Sequence, residues 1–67
     1  MDRAYVEKLF QWSHLSPELQ DVSRSFAELA AHIVEHAPMN PERSVALRKL
    51  LEAKDAAVRA HVIGPMH

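Results

Sequence analysis

Between Ser16 and Ala37 the apolar residues Leu19, Val22, Phe26, Leu29 and Ile33 recur at alternating intervals of three and four. That interval keeps side chains on one face of an α-helix and has a heptad-like character. Ala30, Val34 and Ala37 widen the stripe. Its start carries the matching signals. Ser16 can cap, Pro17 suits the first helical position, and Glu18 and Asp21 suit the positive end of the helix dipole. Pro38 disfavours helical geometry in the residue before it, so the helix is expected to stop near His36 or Ala37. About 20 residues at roughly 1.5 Å each reach ~30 Å.

A third segment opens with greater clarity. Asn40 is an N-cap, Pro41 takes the first helical position, and Glu42 puts negative charge in the first turn. The helix is expected to run from Pro41 to about Val62, stopped by Gly64 and Pro65. Its apolar residues form two seams: Leu47, Leu51, Val58 and Val62, then Ala46, Leu50, Ala53, Ala57 and Ala60. The four residues Ala37 to Asn40 form a short link, which makes the two long helices antiparallel neighbours. A two-helix hairpin covers one seam, and the alanine seam admits another helix, from a further subunit or from the first segment. That first segment, residues 2–12, places Tyr5 or Val6, then Leu9, Phe10 and Trp12, at spacings of a short amphipathic helix that needs docking to be stable. The expected fold class is all-α, a short N-terminal helix followed by an antiparallel two-helix hairpin that assembles into a helical oligomer, in a single domain spanning residues 1–67.

Composition strengthens the oligomer expectation. A 67-residue chain buries a small fraction of its surface, has no cysteine for disulfides or a cysteine-based zinc site, and is still 48% apolar. Burial between subunits reconciles these facts. Net charge is −1 with neutral histidines, unlike the basic balance of a DNA- or RNA-polymer binder. Apolar runs of a few residues span no membrane, and the N-terminal Met-Asp-Arg-Ala-Tyr-Val-Glu lacks a signal-peptide layout, so a cytoplasmic location is expected. One glycine excludes a Gly-rich phosphate loop.

Two clusters carry candidate chemistry. Arg43, Ser44 and Arg48 can form an anion-binding patch at the start of the third helix, where backbone N–H groups help and the planar guanidinium donates paired hydrogen bonds. The plainer reading of that helix, with Lys49, Lys54 and Arg59, is a solvated face with pairs such as Arg48–Glu52 and Asp55–Arg59. Trp12 or His14, just before the Ser16 cap, can stack on a nucleobase, with Arg24 in reach of its phosphate. The plainer reading has Phe10 and Trp12 stapling the first helix onto the hairpin. His32 and His36 share a face with Glu28, but the His-Glu-x-x-His order is absent and no metal is expected. His61 and His67 read as surface residues. The serines sit at caps or on helix faces, and no nucleophile–base–orienter set assembles, so a binding protein is expected, without catalytic residues or cofactor.

The line Phe10-Gln-Trp12-Ser-His14-Leu-Ser-Pro17, then Phe26-Ala-Glu-Leu29-Ala30-Ala-His-Ile33, then Glu42-Arg43-Ser44-Val-Ala46-Leu47-Arg48-Lys49-Leu50-Leu-Glu52-Ala53 resembles the helical-hairpin domain shared by phage anti-CBASS and anti-Thoeris proteins. The resemblance covers residues 10–53, and its specific part is Glu42 to Ala53. It implies a sponge: a small oligomer, commonly a hexamer, that holds cyclic oligonucleotide or cyclic ADP-ribose-type immune signals without cleaving them, in the host bacterial cytoplasm. By position it implies Trp12 or His14 as base stacker and Arg24 as phosphate contact in an intersubunit cyclic-dinucleotide pocket. It also implies Ser44 and Arg48, beside Arg43, at a separate cyclic-trinucleotide site. Three departures stand out: Arg48 replaces a more usual threonine, Ser13 is inserted among the aromatic positions, and Ala56-Ala57-Val58 replaces a Trp-Ala-Asn stretch. The alternative is a small oligomeric interaction module whose apolar seams dock on and inhibit a host protein.

Overall fold

The computed structural model describes residues 1–66; His67 lies outside the described residues. In chain order they form α1 (Arg3–Leu9), α2 (Pro17–His36) and α3 (Pro41–Ile63), with no strand among the described residues. Local chemistry sets the starts. The extended Asp2 caps α1, its Oδ1 accepting from the Tyr5 N–H at 2.8 Å, and the Asn40 Oδ1 accepts from the Arg43 N–H at 3.0 Å to cap α3. Ser16 occupies the cap position of α2 but its side chain makes no capping bond. The entry turn is tied instead by Gln20, whose Nε2 donates to the carbonyls of Leu15 at 2.7 Å and Ser13 at 3.2 Å. Gly64 ends α3 with φ +76° and ψ −174°, a combination that only glycine adopts readily.

The first helix is shorter than the pattern of residues 2–12 suggests. It stops at Leu9, and Trp12 lies in the turn beyond it, accepting from the Leu15 N–H at 3.1 Å. The cause sits in another element. The Lys54 Nζ of α3 donates to the Leu9 carbonyl at 3.1 Å, partnering an acceptor that a continuing helix would pair with its own backbone.

The core is small: Val6 from α1, Phe10 at its C-cap, Ala30 from α2 and Leu47 from α3 are buried, with Phe26, Ala27, Ile33, Val34, Leu50 and Leu51 packed around them. On α2 the most buried positions are Ser23 and Ala30, whereas Leu29 of the expected stripe is exposed. Leu19, Val22, Phe26 and Ile33 of the stripe are half-buried, so the inward face is the expected one shifted toward its Ala30 and Val34 edge, by less than the roughly 100° of one residue position. Packing on two sides explains the shift. α1 and α3 both lie against α2, and the face between two neighbours is the most enclosed. Small side chains at Ala27 and Ala30 suit that close approach. On α3, Leu47 is buried and Leu50, Leu51 and Val58 are half-buried, while Ala46, Ala53 and Val62 face outward.

The start of α3 lies beside the end of α2, where the Arg43 guanidinium reaches the Val34 carbonyl at 3.5 Å. At the opposite end Leu19 of α2 and His61 of α3 line one shallow pocket. The molecule is a slab of 42 × 24 × 15 Å. None of the helices is long and apolar enough to cross a membrane.

Candidate functional site

The turn between α1 and α2 brings Trp12 and Arg24 together although twelve positions separate them. The Arg24 guanidinium lies over the Trp12 ring, 5.6 Å from its centroid, within cation–π range. Arg24 also pairs with Asp21, Nη2 to Oδ1 at 3.2 Å, a surface ion pair one helical turn away. Such a pair is worth at most about 1 kcal/mol, so it orients the guanidinium without locking it. Trp12 is half-buried and forms one wall of an apolar pocket of about 290 Å³ between α1 and α2. Val6, Phe10, Ala27, Ala30 and Val34 line the rest of that pocket, and Arg3 and Glu7 stand with them.

His14 goes elsewhere. It is exposed and faces a different pocket, between the turn and the α2–α3 seam. The two aromatic candidates left open by the sequence are thereby separated, and Trp12 is the one beside Arg24.

The second cluster divides as well. Arg43 turns inward and is 5% exposed. Its Nη1 donates to the Met1 carbonyl at 2.7 Å, its Nη2 reaches the Val34 carbonyl at 3.5 Å, and its Nε has no partner. The guanidinium thus serves the N-terminal segment and the last turn of α2, not the surface patch expected for it. A cation at a helix C-terminus is electrostatically favourable there. Ser44 is half-buried and Arg48 is exposed one turn further on. The ion pairs expected along α3 are replaced by Lys49–Glu52 at 3.9 Å and Lys54–Asp55 at 3.7 Å. Among the described residues no carboxylate comes within 4.0 Å of Arg48 or Arg59.

His32 and His36 stack with ring centroids 4.3 Å apart, and among the described residues no group of three or more His, Asp or Glu side chains is placed to hold a metal ion. Two participants escaped the sequence reading. Asp21 competes for Arg24, and its i,i+3 spacing was the available signal. Lys54 looked like part of a solvated face, yet its side chain is only 13% exposed. No local signal marks that, because the carbonyl it reaches lies 45 residues away in the chain. No family model, curated protein or solved structure matches the chain.

Proposed function

We propose that the protein is a phage anti-defence sponge that binds cyclic oligonucleotide immune signals in the host cytoplasm and holds them intact. The observation that carries this reading is the Arg24 guanidinium over the ring of Trp12, a residue that lines the apolar pocket. A nucleobase lodged against the indole gains stacking and apolar contact, worth roughly 1–3 kcal/mol for a base on an aromatic side chain. Its phosphate then has a cation at hand that needs only to release Asp21. In this reading α2 and α3 act as an antiparallel hairpin, and Ser44 with Arg48, which has no carboxylate partner among the described residues, forms the second contact, for a cyclic trinucleotide.

The hairpin is proposed to assemble, as a hexamer in the family it resembles. Support comes from the surface. The chain exposes 4883 Å², against about 4,300 Å² for a compact monomer of its mass. Leu29, Val45, Val62 and Ile63 are among the exposed apolar side chains.

Native mass spectrometry with a panel of cyclic di- and trinucleotides and cyclic ADP-ribose isomers tests the reading. A discrete oligomer gaining a symmetric number of intact ligands is expected, with Trp12→Ala and Arg24→Ala each weakening cyclic-dinucleotide binding while the oligomer survives. Unchanged affinity in both variants removes the site; linearised product replaces the sponge by an enzyme. The exposed apolar residues also favour a second reading, a module docking on a host protein. A stoichiometric protein partner with no response to any nucleotide would establish that instead.

A further inference from the structure

A second pocket, of about 280 Å³, opens where the α1–α2 turn meets the seam between α2 and α3. Its polar lining is His14, Ser23, Lys54, Asp55 and Arg59, against apolar walls from Leu15 and Val58. Trp12, Arg24, Ser44 and Arg48 take no part in it. Three features of this lining ask for the same kind of occupant.

Ser23 is 0% exposed and its hydroxyl has no hydrogen-bond partner. A helical serine usually satisfies itself by bonding the carbonyl four residues back; this one does not. An unpartnered buried hydroxyl is unfavourable, so an acceptor that reaches it, once the side chains covering it shift, is worth more here than at a solvated serine. Lys54 is the second feature. Its ammonium has three donors. One goes to the Leu9 carbonyl at 3.1 Å, and the Asp55 oxygen at 3.7 Å is beyond hydrogen-bond length. The ammonium also lies over the Phe10 ring, 5.8 Å from its centroid, which leaves it short of oxygen acceptors on a side chain that lines the cavity. The third is Arg59, whose planar fork of donors has no carboxylate within 4.0 Å among the described residues.

Set against these donors is one acceptor, the half-exposed Asp55 carboxylate, already beside Lys54. Two permanent cations face one anion, and donors outnumber acceptors. A metal cation finds too few oxygens here, and a neutral apolar ligand leaves the ammonium and hydroxyl unmet. A small oxyanion with several acceptor oxygens meets all three features. The volume sits near the lower end of ligand pockets, about 300–1,000 Å³.

We propose that this pocket is a binding site for a phosphate-type oxyanion, with Lys54 and Arg59 supplying charge, Ser23 supplying a hydroxyl donor, and Leu15 and Val58 contacting whatever the phosphate is attached to. The site is independent of the Trp12–Arg24 reading and stands or falls separately.

The test is a titration of the full chain with inorganic phosphate at constant ionic strength, followed by two-dimensional amide NMR. Saturable shifts centred on His14, Ser23, Lys54 and Arg59 are expected. Arg59→Gln should weaken binding about tenfold and Ser23→Ala about threefold, the sizes expected for a charged and a neutral hydrogen bond. Both changes are mild for the fold, since Arg59 is exposed and the Ser23 hydroxyl is unpartnered. Trp12→Ala should bind phosphate like the parent. Adenosine 5′-monophosphate displacing phosphate would identify a terminal phosphate as the recognised group, and a cyclic dinucleotide displacing it would identify a bridging phosphodiester. Absence of saturable shifts at these residues, or parental affinity in both Arg59→Gln and Ser23→Ala, overturns the proposal.

Discussion

Replacing Arg43 separates its structural role from the surface role that its position in the first turn of α3 suggests. The buried guanidinium makes one short charge-assisted bond, to the Met1 carbonyl at 2.7 Å, one at the limit of hydrogen bonding, to Val34 at 3.5 Å, and leaves Nε unpaired. The short bond contributes about 1.5–3 kcal/mol, while the unmet Nε sets roughly 1 kcal/mol or more against it. Truncation to alanine also removes the two methylenes beyond Cβ, at about 0.8 kcal/mol each. Arg43→Ala should therefore cost about 2.5 kcal/mol. Arg43→Met keeps the apolar stem and removes the unpaired N–H together with the bonds, so it should cost about 1 kcal/mol. At ~4–8 °C per kcal/mol for a domain of this size, the alanine variant melts at least about 10 °C lower and the methionine variant roughly 5 °C lower. Thermal and urea denaturation followed by circular dichroism measure both. Ligand binding by Arg43→Met, assayed well below its melting temperature, should match the parent. An alanine variant within about 0.5 kcal/mol of the parent would refute the structural role. Loss of ligand binding in a folded methionine variant would return Arg43 to a recognition role.

Leu47 is fully buried in the core, so Leu47→Ala should destabilise by about 2–5 kcal/mol, read by urea denaturation; a loss under 1 kcal/mol would mean that the α3 packing is misassigned. Asn40→Ala removes the oxygen that receives the Arg43 N–H at 3.0 Å and should cost about 1 kcal/mol, whereas Asn40→Asp should cost little. Asp21→Asn releases the Arg24 guanidinium from its 3.2 Å ion pair; cyclic-dinucleotide affinity measured by calorimetry should rise a few-fold, and a fall would mean that Asp21 positions Arg24 instead of competing for it.

Much of the architecture is written in short-range signals. The helix-start chemistry of Ser16-Pro17 and Asn40-Pro41 lies within a few residues of the boundaries it sets, and Pro38 and Gly64 punctuate the ends of α2 and α3. Local sterics decide those places whatever the rest of the chain does. The all-helical character and the limits of the two long helices were legible for that reason. Trp12 and Arg24 were legible as candidates because an aromatic before a cap and a cation two turns into the helix share one end of α2.

The remainder depended on which surfaces meet. The inward face of α2 is set by packing against α1 and α3 together, so Ser23 and Ala30 are enclosed while Leu29 of the apolar stripe is exposed. Periodicity reports where apolar residues lie on one helix and is silent about a second neighbour. The end of α1 at Leu9, the inward turn of Arg43 and the capture of Lys54 each rest on a bond to a carbonyl nine to 45 residues distant. A long cation reads the same in sequence whether it is solvated or reaches a buried carbonyl. What distinguishes the two is the low-dielectric space that only the assembled helices create. Local signals were enough for three helical segments and for the Asn40 cap. The tertiary structure decided which cations face inward, and so which are left to meet a ligand.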